Sequence, residues 1–113
     1  MESPVPYNSE LEQDLTLLFG EQGQNIEQAA ESLKVMAHPQ RLRILCCLRF
    51  GEQTVQNLQG YTGLLQTTLS QHLSLLRSRG LVRVRRQANY SVYRMADDAI
   101  VEMFDLIKNT YCT

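Results

Sequence analysis

Apolar residues recur every three or four positions along most of the chain, which is the spacing of one buried face of an α-helix. In the first half of the sequence this period predicts three helices, at about 10–19, 25–36 and 39–50. Ser9 and Glu12 have the spacing of a capping box, and Pro39 suits the first turn of the third helix. Residues 1–8 carry two prolines and no period, so we expect a disordered tail there and one domain at 9–113.

The second half of the chain contains two kinds of period. Thr54 suits the cap of a short helix, the segment GYTG is expected to form a turn, and a longer helix follows and ends at Gly80. After Gly80 valines alternate with arginines, which predicts a β-hairpin with QAN at its tip. Asp97 suits the cap of a last helix. This order predicts an α+β, mostly α, winged helix-turn-helix.

Charge is distributed unevenly, although the formal net charge is only −1. Residues 1–33 contain seven acidic and no basic residues, whereas residues 34–94 contain ten Lys or Arg and the single acid Glu52. Six of these basic residues are arginines between Arg77 and Arg94. Such a cluster is typical of an ordinary solvated face or of a surface that binds nucleic acid.

Composition excludes several classes of function. The chain of 113 residues has no run of 18 apolar residues and no signal-peptide pattern at its start, so we expect a soluble, cytoplasmic protein that does not act at a membrane. Three cysteines make a disulfide scaffold improbable. No nucleophile triad, phosphate-binding glycine loop or paired-carboxylate cleft is present, so we expect neither an enzyme nor a cofactor.

Polar residues occupy one side of the longer helix, and leucines occupy the other. The polar arc at 100° per residue contains Gln66, Thr67, Ser70, Gln71 and Arg77. Glutamine, serine and threonine can contact base edges in the major groove, and an arginine can contact a phosphate. The arc therefore predicts a surface that binds double-stranded DNA, with an ordinary solvent-facing helix as the alternative.

The basic hairpin is expected to act as the wing of this surface. Arg83, Arg85 and Arg86 would present guanidinium groups to phosphates or to a narrow minor groove. Asn89 at the tip suits a left-handed turn residue. His72 lies on the apolar side of the longer helix and is expected to be a packed core histidine.

The adjacent cysteines of RLRILCCLRF differ in direction on a helical wheel. Cys46 joins the apolar arc of the predicted third helix, whereas Cys47 points towards its flank, near Arg43. A buried cysteine is most often a small apolar core residue. Cations such as Arg43 or Lys108 would favour the reactive thiolate if they lie close to a thiol.

Three segments resemble the ArsR/SmtB family of dimeric bacterial repressors: LKVMAHPQRLRILCCL, LSQHLSLLRSRGLVRVRR and YSVYRM. The resemblance covers roughly residues 33–112. It implies a homodimer joined through its first and last helices, with two recognition helices on an inverted-repeat operator and a chemical signal that releases the DNA. Leu65 stands where relatives commonly have a serine before the recognition helix, which leaves the helix cap and the first base contacts less defined.

The combination of RLxILC with a terminal YC resembles the thiol-persulfide and redox-sensing branch of that family. The resemblance implies that Cys46 and Cys112 are the sensing pair, that Cys47 has no counterpart, and that reactive sulfur species or oxidants act as the inducer. Two alternatives remain: a metal-responsive repressor, for which the ligand set is poor because no C-x-C or C-x-x-C pair is present, and a winged-helix module that binds only protein.

The last helix carries the sequence argument for a dimer. Ile100, Met103, Phe104 and Ile107 fall on one narrow stripe. A domain of this size is not expected to cover this stripe together with the leucines of the first helix, so the stripe is expected to need a partner.

Overall fold

The computed structural model of the chain describes residues 4–112, which form two compact units divided between Leu33 and Lys34. Residues 1–3 of the predicted tail lie outside the described part, and residues 4–8 contain no helix or strand. The first unit contains helix α1 (Ser9–Phe19), a single 3-10 turn (Glu21–Gly23) and most of helix α2 (Gln24–Met36).

The cap of α1 differs from the predicted one. The side chain of Asn8 accepts hydrogen bonds from the backbone N–H groups of Glu10 and Leu11, at 2.9 and 3.1 Å. Ser9 is the first residue of the helix itself. The predicted capping box at Ser9 is therefore wrong, because the carboxamide of Asn8 already occupies the first free amides of the helix.

The second unit completes α2 and contains four further helices and three short strands. They are α3 (Pro39–Leu48), β1 (Gln53–Thr54), α4 (Val55–Thr62), α5 (Gln66–Ser78), β2 (Val82–Gln87), β3 (Tyr90–Met95) and α6 (Asp98–Tyr111). β3 is the central strand and pairs antiparallel with both β1 and β2. α4 and α5 form the helix-turn-helix and β2 and β3 form the wing, so the predicted winged helix-turn-helix is confirmed.

Local details differ from the sequence prediction around the turns. The segment GYTG is not a turn throughout, because α4 continues to Thr62 and ends at Gly63, which adopts a left-handed φ of 72°. The hydroxyl of Thr62 donates to the carbonyl of Leu58 at 2.6 Å and so supports the last helical turn. In the wing the left-handed residue is Ala88, with φ of 54°, and not Asn89 as predicted.

Helix α3 lies at the centre of the core of the second unit. Its residues Ile44, Leu45 and Leu48 are at most 1% exposed, and they pack in one cluster with buried side chains of the other helices. Those side chains include Leu58, Leu69, Leu73, Leu76 and Phe104. The predicted stripe on α6 is covered more fully than expected, because Phe104 is fully buried within the unit and its neighbours Ile100, Met103 and Ile107 are half-buried against the same core.

A polar network ties the start of α3 to the middle of α5. Arg41 donates from Nε to Nδ1 of His72 at 3.1 Å and from Nη1 to the carbonyl of Val35 at 3.1 Å. Nε2 of His72 lies 2.8 Å from the carboxamide oxygen of Gln40, so the neutral ring accepts at Nδ1 and donates at Nε2. His72 is half-buried, as an apolar-side position predicts, but it serves as a hydrogen-bonding link between two helices.

The protonation state of His72 matters for this network. Burial lowers the pKa of His72, and the positive charge of Arg41 and the neighbouring His38 lower it further. The unfolded chain therefore takes up this proton more readily than the folded one. The stabilising contribution of neutral His72 is complete above the ordinary histidine pKa of 6.5 and is lost as the pH falls below it.

We expect the free energy of unfolding to decrease as the pH falls from about 6.5 to about 5, because protonated His72 cannot accept from Arg41. His72→Gln should flatten this dependence. Denaturant titrations across that range measure it. The control is His38→Asn, which keeps an acceptor for the amide of Gln40 and should retain most of the slope, since His38 is the smallest of the three causes that lower the pKa of His72. A His72→Gln protein with the full slope would contradict this assignment.

Candidate DNA-binding surface and thiol cluster

Helix α5 presents one polar face to solvent and buries the other. Gln66, Thr67, Ser70 and Gln71 are exposed, whereas the leucines at 69, 73 and 76 are fully buried. The helix follows Leu65, which is 74% exposed and makes no side-chain cap bond. The backbone amides of the first turn therefore have no side-chain acceptor at the N-cap position and remain suited to an anion such as a DNA phosphate.

The wing divides its arginines between two faces of the hairpin. Residues two apart in a strand share a face, so Arg83 and Arg85 lie on one side of β2 and Arg86 on the other. Nε of Arg85 lies 2.5 Å from a carboxylate oxygen of Glu52, and this hydrogen bond holds the pKa of Glu52 below its ordinary value. The charge of Arg85 is therefore already matched within the chain, and its predicted contact with DNA, like that of Arg83, stays a prediction.

Arg86 lies instead in an open polar cleft of about 720 Å³ beside the recognition helix. Nη1 of Arg86 lies 3.2 Å from the hydroxyl of Ser91 on the neighbouring strand, which orients the guanidinium. The cleft joins the first turn of α5 to the wing tip and to the start of α4; its lining includes Gln66, Arg86, Asn89, Tyr90 and residues 54–57. Arg77 and Arg83 are exposed but do not line this cleft.

Cys46 and Cys47 are both free thiols, both half-buried and both packed against the core. The helical wheel separated them into an inward and a flanking residue, but the fold covers the flank of α3 as well. Burial raises the pKa of both thiols. The positive charge of Arg49 opposes this shift at Cys46, and the nearby Cys112 adds to it.

Arg49 is therefore the cation that favours the Cys46 thiolate, whereas Arg43 and Lys108, which the sequence suggested, are not among the causes of the shift in its pKa. Nε of Arg49 lies 3.1 Å from a carboxylate oxygen of Asp105, although the two groups are not aligned as a hydrogen bond. This ion pair joins the end of α3 to α6. The sequence contains a signal for the pairing of Cys46 with Arg49, since residues three apart on a helix are neighbours.

Cys112 lies at the end of α6. Its backbone N–H donates to the carbonyl of Lys108 at 2.9 Å, and its thiol is free and exposed. α6 packs against α3, and the negative charge of a Cys112 thiolate would raise the pKa of Cys46. The fold therefore packs together the two helices that end near the predicted sensing cysteines, and the pairing of Cys46 with Cys112 stays a prediction.

Across residues 4–112, no three His, Cys, Asp or Glu side chains come together in a way that could hold a metal ion. In the same part of the chain, no helix has both the length and the apolar character needed to cross a membrane.

Comparison with known proteins identifies relatives. Residues 38–84 match the family described as bacterial regulatory protein, arsR family. The chain is 39% identical over 80 residues to the biofilm growth-associated repressor of Agrobacterium fabrum, covering 71% of this chain and 68% of that protein. It is 38% identical over 92 residues to the transcriptional activator HlyU of Vibrio cholerae, covering 81% and 85%.

Solved structures share the fold. HlyU from Vibrio cholerae superposes with a TM-score of 0.75 at 38% identity, covering 79% of this chain and 97% of that one. A homodimeric winged helix-turn-helix DNA-binding domain from Mycobacterium bovis gives a TM-score of 0.69 at 30% identity, covering 94% and 89%. These relatives are regulators and not enzymes, in agreement with the expectation from composition. The chain belongs to the ArsR family of bacterial regulatory proteins, and it is a DNA-binding transcriptional regulator.

Proposed function

We propose that this protein is a homodimeric repressor that leaves its operator when Cys46 and Cys112 react with reactive sulfur species or oxidants. The observation that carries the proposal is the position of α3. Its last turn contains Cys46 and is joined to α6 through the ion pair of Arg49 with Asp105, and its first turn is hydrogen-bonded to the recognition helix through Arg41 and His72. A change at one end of α3 therefore has a physical route to α5.

DNA recognition is assigned to the polar face of α5 and to the wing. Gln66, Thr67, Ser70 and Gln71 would contact base edges in the major groove, and Arg77 would contact a phosphate further along the helix. Arg86 and Asn89 would hold the backbone beside the first turn of α5, since they line one cleft with Gln66. A regulator that binds chromosomal DNA acts in the compartment that holds the chromosome, which for a bacterial regulator is the cytoplasm.

The dimer is supported by apolar surface on the terminal helices. Leu11, Leu18 and Phe19 of α1 are each about half exposed, and Leu106 of α6 is 66% exposed. Exposed apolar residues on helices that flank a small domain are typical of an interface between subunits. The related domain from Mycobacterium bovis is homodimeric, and a dimer would place two recognition helices on an inverted repeat.

The chemical step joins the ends of α3 and α6. A Cys46 thiolate attacks the outer sulfur of a persulfide R–S–S–H and releases R–S⁻, or attacks a peroxide oxygen and releases hydroxide, which leaves Cys46–S–S–H or Cys46–S–O–H. Cys112 then attacks the sulfur of Cys46 and releases HS⁻ or hydroxide, which forms a disulfide. Where a second persulfide has first converted Cys112 to Cys112–S–S–H, the Cys46 persulfide anion displaces HS⁻ from it and forms a trisulfide bridge. The bridge closes a loop of more than sixty residues. Crosslinks of this kind shift stability by about 2–4 kcal/mol, which is sufficient to move a two-state equilibrium if the bridge fits the released form better.

Charge reversal in the wing tests the DNA surface. Arg86→Glu should weaken binding to specific and random duplexes alike and reduce the salt slope of binding by about one, since one phosphate contact is lost. Arg85→Glu is the matched control on the opposite face of β2 and should change binding less, because Arg85 is paired with Glu52. Fluorescence anisotropy at several salt concentrations measures both slopes. Equal losses from the two variants would show that the wing does not bind as assigned.

Serine variants of the three cysteines test the sensor. With operator DNA selected from random duplexes, all three should bind when reduced. After persulfide treatment Cys47→Ser should release the DNA as the wild type does, whereas Cys46→Ser and Cys112→Ser should stay bound. Mobility-shift titrations read the binding, and mass spectrometry counts the sulfurs in the bridge. If Cys46→Ser releases the DNA after treatment, or Cys47→Ser fails to release it, Cys47 and not Cys46 is the functional cysteine.

A further inference from the structure

An apolar groove opens beside the cysteine pair. It has a volume of about 540 Å³ and is lined by Cys46, Cys47, Phe50, Gln53 and Tyr61. The lining comes from the end of α3, the following turn, β1 and α4. Phe50 and Tyr61 are 83% and 66% exposed, so their rings form a wall that a small molecule can reach from solvent. None of these elements is a terminal helix used for the proposed dimer.

The groove suits a neutral occupant. No charged side chain is present among the five described residues that line it. The carboxamide oxygen of Gln53 already accepts a hydrogen bond from Asn57 at 3.2 Å. The guanidinium of Arg49 lies 4.8 Å from the centre of the Phe50 ring, but its charge is matched by Asp105. An anionic reagent entering the groove would lose hydration, and the one cation described beside the wall, Arg49, is already paired with Asp105.

Because Cys46 and Cys47 are protonated thiols, the rate of their reaction depends on the local concentration of the reagent. Because burial raises the pKa of Cys46 and Cys47, only a small fraction of either is thiolate at neutral pH. Attack by such a thiol on a reagent is slow unless the reagent is held close to the thiol. Apolar walls hold apolar reagents, and each methylene group removed from water favours binding by a few-fold.

We propose that the groove admits neutral, apolar sulfane-sulfur donors, such as dialkyl trisulfides, in preference to charged hydrophilic donors, and so determines which reagents reach Cys46. The inference rests on the proposed function, since it names the class of reagent for the same thiol. Cys47 lines the groove as a second polarisable wall residue and is not required for the bridge.

The reaction balances without any further oxidant. Cys46 gives its proton to solvent, and its thiolate attacks a terminal sulfur of R–S–S–S–R, which forms Cys46–S–S–R and releases the persulfide anion R–S–S⁻. Cys112, also deprotonated, then attacks the sulfur of Cys46 and releases R–S⁻. Two thiols are oxidised to one disulfide, and the trisulfide is reduced to a persulfide and a thiol.

The experiment compares two trisulfides that share the reactive group and differ in their ends. Dipropyl trisulfide has apolar ends, and glutathione trisulfide has charged ends. The rate of Cys46–Cys112 bond formation is measured by mass spectrometry after alkylation of free thiols, and each rate is divided by the reagent's rate with free cysteine. The normalised rate should be at least about tenfold greater for the dipropyl compound, as expected for burial of one propyl group.

Variants of the wall complete the test. Phe50→Ser and Tyr61→Ser are exposed and should fold, and each should reduce the preference for the dipropyl compound several-fold. Tyr7→Ser, an exposed tyrosine in the first unit, is the control and should leave the preference unchanged. Equal normalised rates in the wild type, or a preference that survives both wall variants, would overturn the inference and leave the proposed sensor standing. Failure of both trisulfides to link Cys46 to Cys112 would instead overturn the proposed function.

Discussion

The burial of one face of α3 is the constraint on which the rest of the second unit depends. Ile44, Leu45 and Leu48 fill the centre of the core, and full burial of each such side chain contributes about 1.5–3 kcal/mol relative to exposure. Because this face is fixed, the remaining positions of the helix have fixed directions. Arg41 near its start meets the recognition helix, and Arg49 at its end pairs with Asp105 of α6.

This arrangement explains how a half-buried thiol can take part in regulation. Burial alone would make Cys46 a poor nucleophile, and Arg49 offsets part of that effect. Arg49 also pairs with Asp105 on α6, so the charge beside the thiol is shared with the helix that carries Cys112. In the proposed mechanism, reaction at Cys46 would change the packing between two core helices and would not be confined to the surface.

Sequence periodicity predicted the features that depend on near neighbours. Pro39 at the start of α3, Asp97 at the cap of α6 and the leucines on the buried side of α5 are all signals within one or two helical turns. The relation between Cys46 and Arg49 is of the same kind and was available from a helical wheel.

Features that depend on distant parts of the chain could not be predicted in this way. Arg85 pairs with Glu52 across 33 positions, and His72 meets Gln40 across 32. Each pairing exists only because the hairpin and α5 fold back on earlier segments. β1 has two residues and is too short to show an alternating pattern. The groove beside Cys47 combines residues from four successive segments, and no single period marks it.

In the proposed mechanism, the bridge between Cys46 and Cys112 and the binding of operator DNA oppose each other through α3. Coupling between two sites is reciprocal, so the operator must also change the redox equilibrium of the cysteine pair. The most direct measurement is the reduction potential of the Cys46–Cys112 bridge with and without saturating operator. Operator should make the potential less negative, by about 30 mV for each tenfold by which the bridge weakens binding. An unchanged potential would contradict the account, whatever the thiols do in the free protein.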